Sequence, residues 1–367
     1  MHRALRRVAV AAAVMLSLSF LSAPAHGAAL LAGTVLTNVT ATLPTELSPL
    51  ATGKRISYVT TNVNGGIITA TGLVLTPKTG KNNKTVAWGH GTTGLADQCT
   101  PSTSQSVFWP EARAAIAELL RRGWTVTAPD YPGLGTPTAH PYLIGLSEAR
   151  SIIDSVKAAR RLDAALTAQY VVDGHSQGGQ GALFVNEIAP SYDSPLVLRG
   201  TAAIAPVSNA DLFAPLIPGT AAQGYLVMGL YGLQAIDPTV NPSTLLAQPA
   251  RDRVSVLQSG CLYQILDAFA PLTAEQLLVG GALPDAVVTK LARHLNPGQA
   301  ASSAPILLVQ GTADEAVPYV ITAGPLMSQL GAYSQPVTFR ELDGATHDGA
   351  VFQSTTLVAD WIAVRFA

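Results

Sequence analysis

The chain has 367 residues, of which 48% are hydrophobic and 12% are charged, and its formal net charge is −1. This length supports one large hydrophobic core, or a core with an inserted subdomain. The nearly neutral balance, without a run of Lys or Arg, argues against nucleic acid or anionic lipid as a partner.

The N-terminus has the order of a secretory signal peptide. Three arginines precede about fourteen mostly apolar residues, and Ala23-Pro24-Ala25 offers a small-x-small cleavage site. The apolar run is short for a membrane span, which disfavours the alternative of an uncleaved anchor. We therefore expect residues 1–25 to be a signal peptide. Its removal shifts the formal net charge from −1 to −4, and the mature protein is expected to be secreted, outside the cell or at the cell envelope.

Strand and helix patterns alternate along the rest of the chain. In order, the predicted elements are a hairpin over 56–77, a strand and Gly-rich loop over 84–94, a helix over 109–122, the strand WTVTAP, a helix over 147–166, the strand YVVDGHS with a following helix, and the short strands RGTAAIAPV, PILLVQG and VTFREL before a final helix. Most of these strands are continuous apolar runs, which is typical of a parallel sheet covered on both faces. The pattern predicts an α/β fold with an antiparallel N-terminal hairpin.

This alternation fails between residues 206 and 303. Here short helical patterns are joined by Pro and Gly, without a convincing strand. We interpret the segment as a helical cap inserted over the carboxyl edge of the sheet, where open α/β sheets bind ligands. The predicted domain organisation is therefore a core in two parts, 26–205 and 304–367, with the cap 206–303 between them.

Residues 174–178 read Gly-His-Ser-Gln-Gly, a G-x-S-x-G pattern that is weak evidence by itself. Its context is more specific, because YVVDGHS supplies a strand and small residues open the helix that follows. A nucleophile elbow needs this strand–turn–helix order and this absence of bulk around a strained turn. The pattern predicts that Ser176 is a nucleophile, against the alternative of an idle serine in a glycine-rich turn.

A serine nucleophile needs a base, and in this arrangement the acid and then the histidine follow it in the chain. Only His294 and His347 follow Ser176. His294 ends a predicted cap helix beside Lys290 and Arg293, as a cation at a helix C-terminus would. His347 lies in a loop between a strand and the last helix, so we expect it to be the base.

The acid is predicted to be Asp314, which follows the buried-type strand PILLVQG. A carboxylate at a strand's carboxyl end points to the same crevice as Ser176. Glu315 is the immediate rival, since the loop could present either side chain. Asp343 and Asp348 are close to His347 in sequence, and local contact with it stays open.

Two backbone N–H groups are needed to bind the oxyanion. The first is predicted to belong to Gln177, which follows the nucleophile, and the second to the His-Gly loop over 88–94. We expect Thr92 to be that donor, with Thr93 as its rival. His90 in the same loop is expected to order the loop by hydrogen bonds rather than to move protons.

The two cysteines, Cys99 and Cys261, are an even pair in an exported chain and therefore predict a disulfide, against the alternative of two buried free thiols. Metal binding is poorly supported, because no C-x-x-C, H-E-x-x-H or histidine tract occurs. We expect no metal and no cofactor.

Taken together, W-G-H-G-T-T-G-L-A-D-Q-C-T-P-S, D-Y-P-G-L-G, G-H-S-Q-G-G and the pair G-T-A-D … G-A-T-H-D resemble the secretory lipase family of α/β-hydrolases, found in actinobacteria and fungi. The resemblance implies the α/β-hydrolase fold, a helical cap, no metal, and the triad Ser176, Asp314 and His347. It also implies that Cys99 pairs with a cap cysteine, which Cys261 fits. Only twenty residues follow His347, so we do not expect the C-terminal flap of the fungal lipase-A type, whereas gating by the cap stays open.

The expected activity is hydrolysis of carboxylic esters, of the triacylglycerol lipase type, through an acyl-enzyme. A short-chain carboxylesterase, a secreted acyltransferase or a peptidase would share the triad, but the cap lacks the charged cluster that anchors a peptide terminus. A silent binding protein of this fold typically loses a triad member. We expect a monomer that acts on a small-molecule or lipid ester and touches lipid surfaces transiently.

Overall fold

Nine strands form one sheet in the computed structural model, which describes residues 31–192 and 195–367. The predicted signal peptide, residues 1–25, lies outside the described residues. The strands are β1 Val35–Thr40, β2 Ala51–Thr61, β3 Ile67–Pro77, β4 Thr85–Gly89, β5 Thr125–Pro129, β6 Gln169–His175, β7 Val197–Ile204, β8 Ile306–Gly311 and β9 Val337–Leu342. Their order across the sheet is β1-β2-β3-β5-β4-β6-β7-β8-β9.

The first three strands are antiparallel to their neighbours, and the other six run parallel to one another. This confirms the predicted mostly parallel sheet with an antiparallel hairpin at its N-terminal side. The hairpin turn is held by Asn62, whose Oδ1 accepts hydrogen bonds from the N–H groups of Asn64 and Gly66. The edge strand β1 was not predicted. Its side chains are mostly exposed, so burial imposes no apolar pattern on its sequence.

Helices cover both faces of the sheet and fill the segments between strands. The α-helices are α1 Pro110–Arg121, α2 Gly145–Leu162, α3 Gln177–Tyr192, α4 Ala210–Phe213, α5 Gln223–Gln234, α6 Pro242–Leu245, α7 Gln248–Arg251, α8 Val256–Ser259, α9 Leu262–Phe269, α10 Ala274–Leu277, α11 Asp285–Leu295, α12 Tyr319–Ile321, α13 Met327–Gly331 and α14 His347–Phe366. Helices α1 and α14 pack together, and so do α2 and α3. Among the described helices, none combines the length and apolar character that a bilayer crossing requires.

Helix α1 shows how local sequence sets the element boundaries. Pro110 occupies the start of the helix, where a missing N–H costs nothing. Gly123 follows the helix with φ of +80°, and a Cβ there would lie 2.1 Å from the Gly80 carbonyl oxygen. Only glycine fits that left-handed, crowded position, so the helix stops and the chain turns into β5.

The segment between β7 and β8 is built of short helices, from α4 to α11, with a single isolated bridge between Leu246 and Leu278. Its apolar side chains form one cluster, with Leu226, Met228 and Phe269 fully or almost fully buried. Tyr142, Leu143, Ile144 and Val317 from outside the segment belong to the same cluster. The predicted cap, 206–303, falls in this segment, and its boundaries stay a prediction.

Candidate active site

Ser176 occupies a strained turn at the carboxyl end of the central strand β6, directly before α3. Its φ is +57°, in the left-handed region that side chains rarely adopt. The turn is held on both sides: the Ser176 N–H donates to the Ile204 carbonyl at 2.9 Å, and the Gln180 N–H donates to the Ser176 carbonyl at 3.0 Å. This is the geometry of a nucleophile elbow.

The glycines of the elbow are required by close backbone contacts. A Cβ on Gly174 would lie 2.2 Å from the Gly178 carbonyl oxygen. A Cβ on Gly178 would lie 2.0 Å from the carbonyl oxygen of Gly89, at the end of the neighbouring strand β4. Both distances are far below van der Waals contact, so glycine at these positions allows α3 to approach the sheet and the serine to stand at its edge.

Asp314 lies in the loop that follows β8. His347, expected in a loop, is the first residue of α14, just past the loop that follows β9. His347 Nδ1 lies 2.8 Å from Asp314 Oδ2, and the Asp314 side chain is fully buried. The same carboxylate accepts bonds from Gln310 Nε2 at 2.8 Å and from the N–H groups of Ala316 and Val317 at 2.9 and 2.8 Å. Because an ionised carboxylate only accepts, the proton of this contact lies on His347 Nδ1, and Nε2 is left to exchange protons.

The rival acids are placed differently. Glu315 is exposed, although it neighbours Asp314 in sequence. Asp343 is exposed and accepts a hydrogen bond from Thr312 at 3.3 Å. Asp348 is half-buried beside His347, in the first turn of α14. Of these carboxylates, Asp314 is the one hydrogen-bonded to the histidine.

The rival histidine, His294, lies in the last turn of α11, as expected from sequence. It is not among the residues that line the cavities beside Ser176. Burial and the nearby Arg293 lower the pKa of His294, which favours a neutral ring rather than the helix-terminal cation suggested by the sequence.

Ser176 and His347 line a common cavity of about 160 Å³. Within the described residues no hydrogen bond joins the serine hydroxyl to the histidine. Such contacts are often long in a free enzyme and tighten when substrate binds. The His347 ring also packs against the His175 ring, with centroids 4.4 Å apart.

A second cavity of about 350 Å³ also reaches Ser176, and apolar side chains dominate its lining. The segment between β7 and β8, called the cap segment from here on, contributes lining side chains that include Val207, Phe213, Leu216, Ile217 and Tyr225. On the core side, Tyr142 and Leu143 contribute, and Leu143 has a φ of +59°. Thus the serine stands between a small cavity next to the histidine and a larger, apolar one beneath the cap.

The predicted oxyanion donors flank the serine. Thr92 lines both cavities, and Gln177 follows Ser176 directly. Within the described residues, the backbone N–H groups of Thr92 and Gln177 donate to no backbone carbonyl. Thr92 is fixed by its other groups: its hydroxyl bonds the Tyr142 hydroxyl at 2.7 Å, and its carbonyl accepts from Trp109 Nε1 at 3.0 Å.

Thr93 and His90, which lie on either side of Thr92 in the sequence, make contacts that hold the loop in place. The carbonyl of Thr93 accepts a hydrogen bond from the N–H of Leu262, which ties the loop to helix α9. His90 is buried, stacks on Tyr131 with centroids 4.3 Å apart, and forms a hydrogen bond to the Gly91 carbonyl at 2.7 Å. Burial lowers the pKa of His90, so its ring is neutral at pH 7.

Cys99 and Cys261 form a disulfide, as predicted, with Cα atoms 5.5 Å apart. The bond links the loop that follows β4 to the start of α9 in the cap segment. Gly94 has a φ of +139°, and a Cβ there would lie 2.7 Å from the Cys99 sulfur. The loop that carries Thr92 is thereby tied covalently to the segment above the site.

Two supporting residues were not predicted from the sequence. Gln310 is buried in β8, and its amide donates to both Asp314 and the Val317 carbonyl. Glu148 is fully buried on α2 and accepts hydrogen bonds from Gln177 Nε2 at 2.8 Å and from the Leu143 N–H at 3.1 Å. A signal was available in each case: a polar residue in an otherwise apolar strand, and an acid on the inner face of an amphipathic helix.

Burial without a cationic partner raises the pKa of Glu148 to about 8.

A cluster of three side chains bears on metal binding. Potential ligand atoms of His175, His347 and Asp348 lie within 4.8 Å of one another. His347 contacts Asp314 through Nδ1, so a metal would have to take Nε2, the same atom that is left to exchange protons.

The sequence matches the family described as Secretory lipase over residues 101–367. This range is more than two thirds of the chain and includes Ser176, Asp314 and His347. It begins after the His-Gly loop, so Thr92 and Cys99 lie outside it.

The chain is similar to the secreted triacylglycerol lipase LIP4 of Malassezia globosa. The two are 27% identical over 266 residues, which is 67% of this chain and 57% of that protein. The chain therefore spans little more than half the length of the curated relative that it matches.

Solved lipase and esterase structures have the same fold. Lipase A of Candida antarctica in its closed state matches with a TM-score of 0.78 and 17% identity, over 92% of this chain and 83% of that one. The rice cell wall degrading esterase LipA of Xanthomonas oryzae matches with a TM-score of 0.72 and 22% identity, over 91% and 97%. At these identities the likeness shows the fold, and it confirms the predicted fold class.

Proposed function

The chain belongs to the secretory lipase family, and on this premise we propose that it is a carboxylic ester hydrolase of the lipase type. Because this family consists of secretory lipases, the protein is a secreted one. In this proposal Ser176 is the nucleophile, His347 the general base, and Asp314 the acid that orients the base. The observation that supports it best is the Asp314–His347 hydrogen bond beside a strained serine in the same cavity.

The reaction begins when the Ser176 hydroxyl attacks the ester carbonyl and its proton passes to His347 Nε2. The carbonyl oxygen becomes an oxyanion and is bound by the N–H groups of Gln177 and Thr92, each worth about 3 kcal/mol of transition-state stabilisation. The carbon–oxygen bond to the alcohol then breaks. His347 returns its proton to the leaving oxygen, and the acyl group stays on Ser176.

Water completes the cycle. It enters on the side of His347, gives a proton to Nε2, and attacks the acyl carbon; the serine leaves and takes the proton back. Asp314 keeps its negative charge throughout and stabilises the imidazolium that forms in each half-reaction. Four hydrogen bonds hold its carboxylate in place.

We place the acyl chain in the apolar cavity of about 350 Å³ next to Ser176. Phe213, Leu216 and Ile217 from the cap segment give it the apolar surface that an acyl chain needs. In this view 206–303 is a cap that selects the acyl group, and 26–205 with 304–367 is the catalytic core. The name of the Malassezia relative favours triacylglycerol-type esters as the substrate class.

Exposed apolar side chains near this cavity support transient contact with a lipid surface. Leu216 is 74% exposed, and Leu212 and Val320 are 47% and 67% exposed. Leu216 also lines the cavity, so one apolar rim would meet both the lipid and the acyl chain. We expect the protein to work in this way as a monomer.

The test is hydrolysis of p-nitrophenyl esters from butyrate to palmitate by the mature protein. Ser176→Ala is expected to lose activity by at least about 10⁴-fold on every ester. Ser191→Ala is the matched control, because Ser191 is exposed near the far end of the same helix α3. It should leave the rates within about twofold of wild type, as surface substitutions usually do.

Each outcome assigns the activity. Cleavage of palmitate supports the lipase, and cleavage of butyrate alone would replace it with a short-chain carboxylesterase. Acyl transfer to an added alcohol in preference to water would indicate an acyltransferase. If Ser176→Ala keeps the wild-type rate, the triad is wrong.

A further inference from the structure

The smaller cavity beside Ser176 differs in chemistry from the apolar one. Its volume is about 160 Å³, and two carboxylic acids, Glu111 and Asp348, line it. Three aromatic side chains, Trp109, Tyr225 and Tyr263, line it as well. None of the described residues in its lining is a lysine or an arginine. It is therefore an acidic, aromatic cavity at the nucleophile.

The position of His347 decides which part of an ester enters this cavity. His347 lines the small cavity and not the apolar one. In the proposed reaction the same histidine protonates the leaving oxygen, so the alcohol must lie on its side of the serine. The acyl chain then occupies the apolar cavity, and the alcohol occupies the small one.

Glu111 is a buried acid without a cationic partner. It lies in the first turn of α1 and is 5% exposed, and within the described residues no side chain donates a hydrogen bond to it. The nearby Arg113 instead donates to the carbonyls of Phe108 and Gln105 and to Glu46. Burial and the charge of Asp348 raise the pKa of Glu111 to about 7. Both effects disfavour the ionised form of Glu111, and a bound cation would offset them by pairing with its charge.

The buried His175 of the cavity does not supply this cation. His175 is 2% exposed, and within the described part of the chain neither of its ring nitrogens has a hydrogen-bond partner. Burial, followed by the nearby His347, lowers the pKa of His175 well below its ordinary value, so its ring is neutral. In the proposed reaction His347 takes the serine proton and becomes positive, and this transient charge is the competing explanation for the two acids.

The aromatic rings suit a particular kind of cation. Trp109 and Tyr263 meet edge to face with ring centroids 5.4 Å apart. Tyr263 is 56% exposed, so part of its ring faces solvent. Trp and Tyr rings beside carboxylates are the usual surroundings of quaternary ammonium groups, which they bind through cation–π attraction.

We propose that the small cavity is an alcohol subsite with a preference for esters of quaternary ammonium alcohols, of the choline type. This inference rests on the proposed ester hydrolase function and deepens it. An alcohol with a phosphate or carboxylate group should be disfavoured, because the two acids repel it.

The test compares butyrylcholine with 3,3-dimethylbutyl butyrate, which has the same shape and no charge. Both are assayed at pH 8, where Glu111 is ionised, and at low salt. Wild type should show a kcat/KM about tenfold higher for the choline ester, the effect of a cation–π and charge interaction together. Glu111→Gln and Tyr263→Leu should each lower this ratio severalfold. Glu118→Gln removes an acid from the outer face of the same helix and should leave the ratio unchanged.

The ratio separates the two explanations. If Glu111→Gln slows both esters by the same factor, Glu111 acts through the charge on His347 and the subsite is wrong. A wild-type ratio near one would overturn the proposal as well. The proposal also fails if the protein cleaves p-nitrophenyl butyrate but hydrolyses neither butyrylcholine nor 3,3-dimethylbutyl butyrate.

Calorimetric titration of choline into Ser176→Ala reads the subsite without catalysis. Binding that weakens in the Glu111→Gln background supports the subsite even if no ester is hydrolysed, in which case the proposed function alone has failed. Absence of choline binding together with ester hydrolysis would remove the subsite and leave the function standing.

Discussion

The core beneath Ser176 and the cap segment above it are held together in different ways. In the core, Gly174 and Gly178 allow backbone contacts that no larger residue would permit, and Asp314 is fixed by four hydrogen bonds. The cap segment consists mostly of short helices around an apolar cluster. One disulfide, Cys99–Cys261, joins the two regions next to the site.

The two regions differ in how strictly their interactions fix the positions of side chains. Hydrogen bonds and close backbone contacts are directional, so the positions of the reacting groups are set to within a fraction of an ångström. Apolar packing is non-directional and tolerates changes that conserve volume. Under the proposed function the reaction is therefore set by the core, and the choice of acyl chain is left to the cap.

The largest expected effect comes from Asp314→Asn. The variant keeps the shape of the side chain but lets an amide face His347, which favours the wrong tautomer of the ring. We expect kcat to fall by about 10⁴-fold with little change in folding. Steady-state hydrolysis of p-nitrophenyl butyrate measures it, with unfolding by urea as the check on stability.

Glu315→Gln is the control for this substitution. The residue is exposed and adjacent to Asp314, and it lines the apolar cavity rather than the one that His347 lines, so its kcat should stay within about threefold of wild type. Equal losses in the two variants would show that the structure has assigned the wrong acid.

A pair of glycine substitutions tests the contrast in packing. Gly178→Ala would place a Cβ 2.0 Å from the Gly89 carbonyl, so the backbone must move. We expect it to cost several kcal/mol, enough to abolish soluble expression or to lower the melting temperature by more than about 10 °C. Gly229→Ala, inside cap helix α5, meets nothing within 4 Å. It should stabilise the protein by up to about 1 kcal/mol, because alanine favours a helix.

Melting curves of the two variants decide this point. If Gly178→Ala melts with the wild type, the elbow is less crowded than the distances imply. If Gly229→Ala is the more damaging change, the contrast between core and cap is reversed.

A dependence of stability on pH is also expected, and it belongs to the core. Glu148 has a pKa raised to about 8 by burial, against 4.5 in an unfolded chain. Its contribution to stability is therefore complete below about pH 4.5 and is lost as pH rises towards 8, by at most about 1.4 kcal/mol per pH unit. The packed ionisable neighbours stay neutral in this range: burial lowers the pKa of His140 to about 4 and raises that of Tyr131.

In Glu148→Gln the side chain is neutral at every pH, and its amide oxygen can still accept the hydrogen bonds from Gln177 and Leu143. Urea unfolding at pH 5 and pH 8 should show a smaller difference in the variant than in wild type. In the cap segment, the hydrogen bond from Lys290 lowers the pKa of the half-buried Asp237 to about 2, below the range compared, so Asp237→Asn should leave this difference unchanged. Parallel pH slopes in wild type and Glu148→Gln would contradict the prediction.

Features that depend on local sequence could be predicted. The order of strands and helices follows from apolar periodicity, and the turn at Ser176 follows from the small residues on both sides of it. Edge strand β1 was missed because an exposed edge needs no apolar pattern. The choice of His347 over His294 also needed only chain order and loop position.

Other features required the packed chain. Asp314 and Glu315 are neighbours in sequence, and only the turn after β8 buries one and exposes the other. Gln310 and Glu148 look like ordinary polar residues of a strand and a helix until their partners are in place. Glu111 and Asp348 line one cavity although one begins α1 and the other begins α14.

By itself, the sequence determined the α/β fold, the elbow at Ser176 and the family to which the chain belongs. These depend on burial patterns and on backbone conformations that short stretches record directly. The sequence predicted Asp314 and His347 as partners with Glu315 as a rival, and tertiary structure decided between the two acids. It alone decided the two cavities on either side of the serine and the acidic character of one of them. They arise from contacts between segments far apart in the chain, and no local pattern encodes which distant side chain will fill a given space.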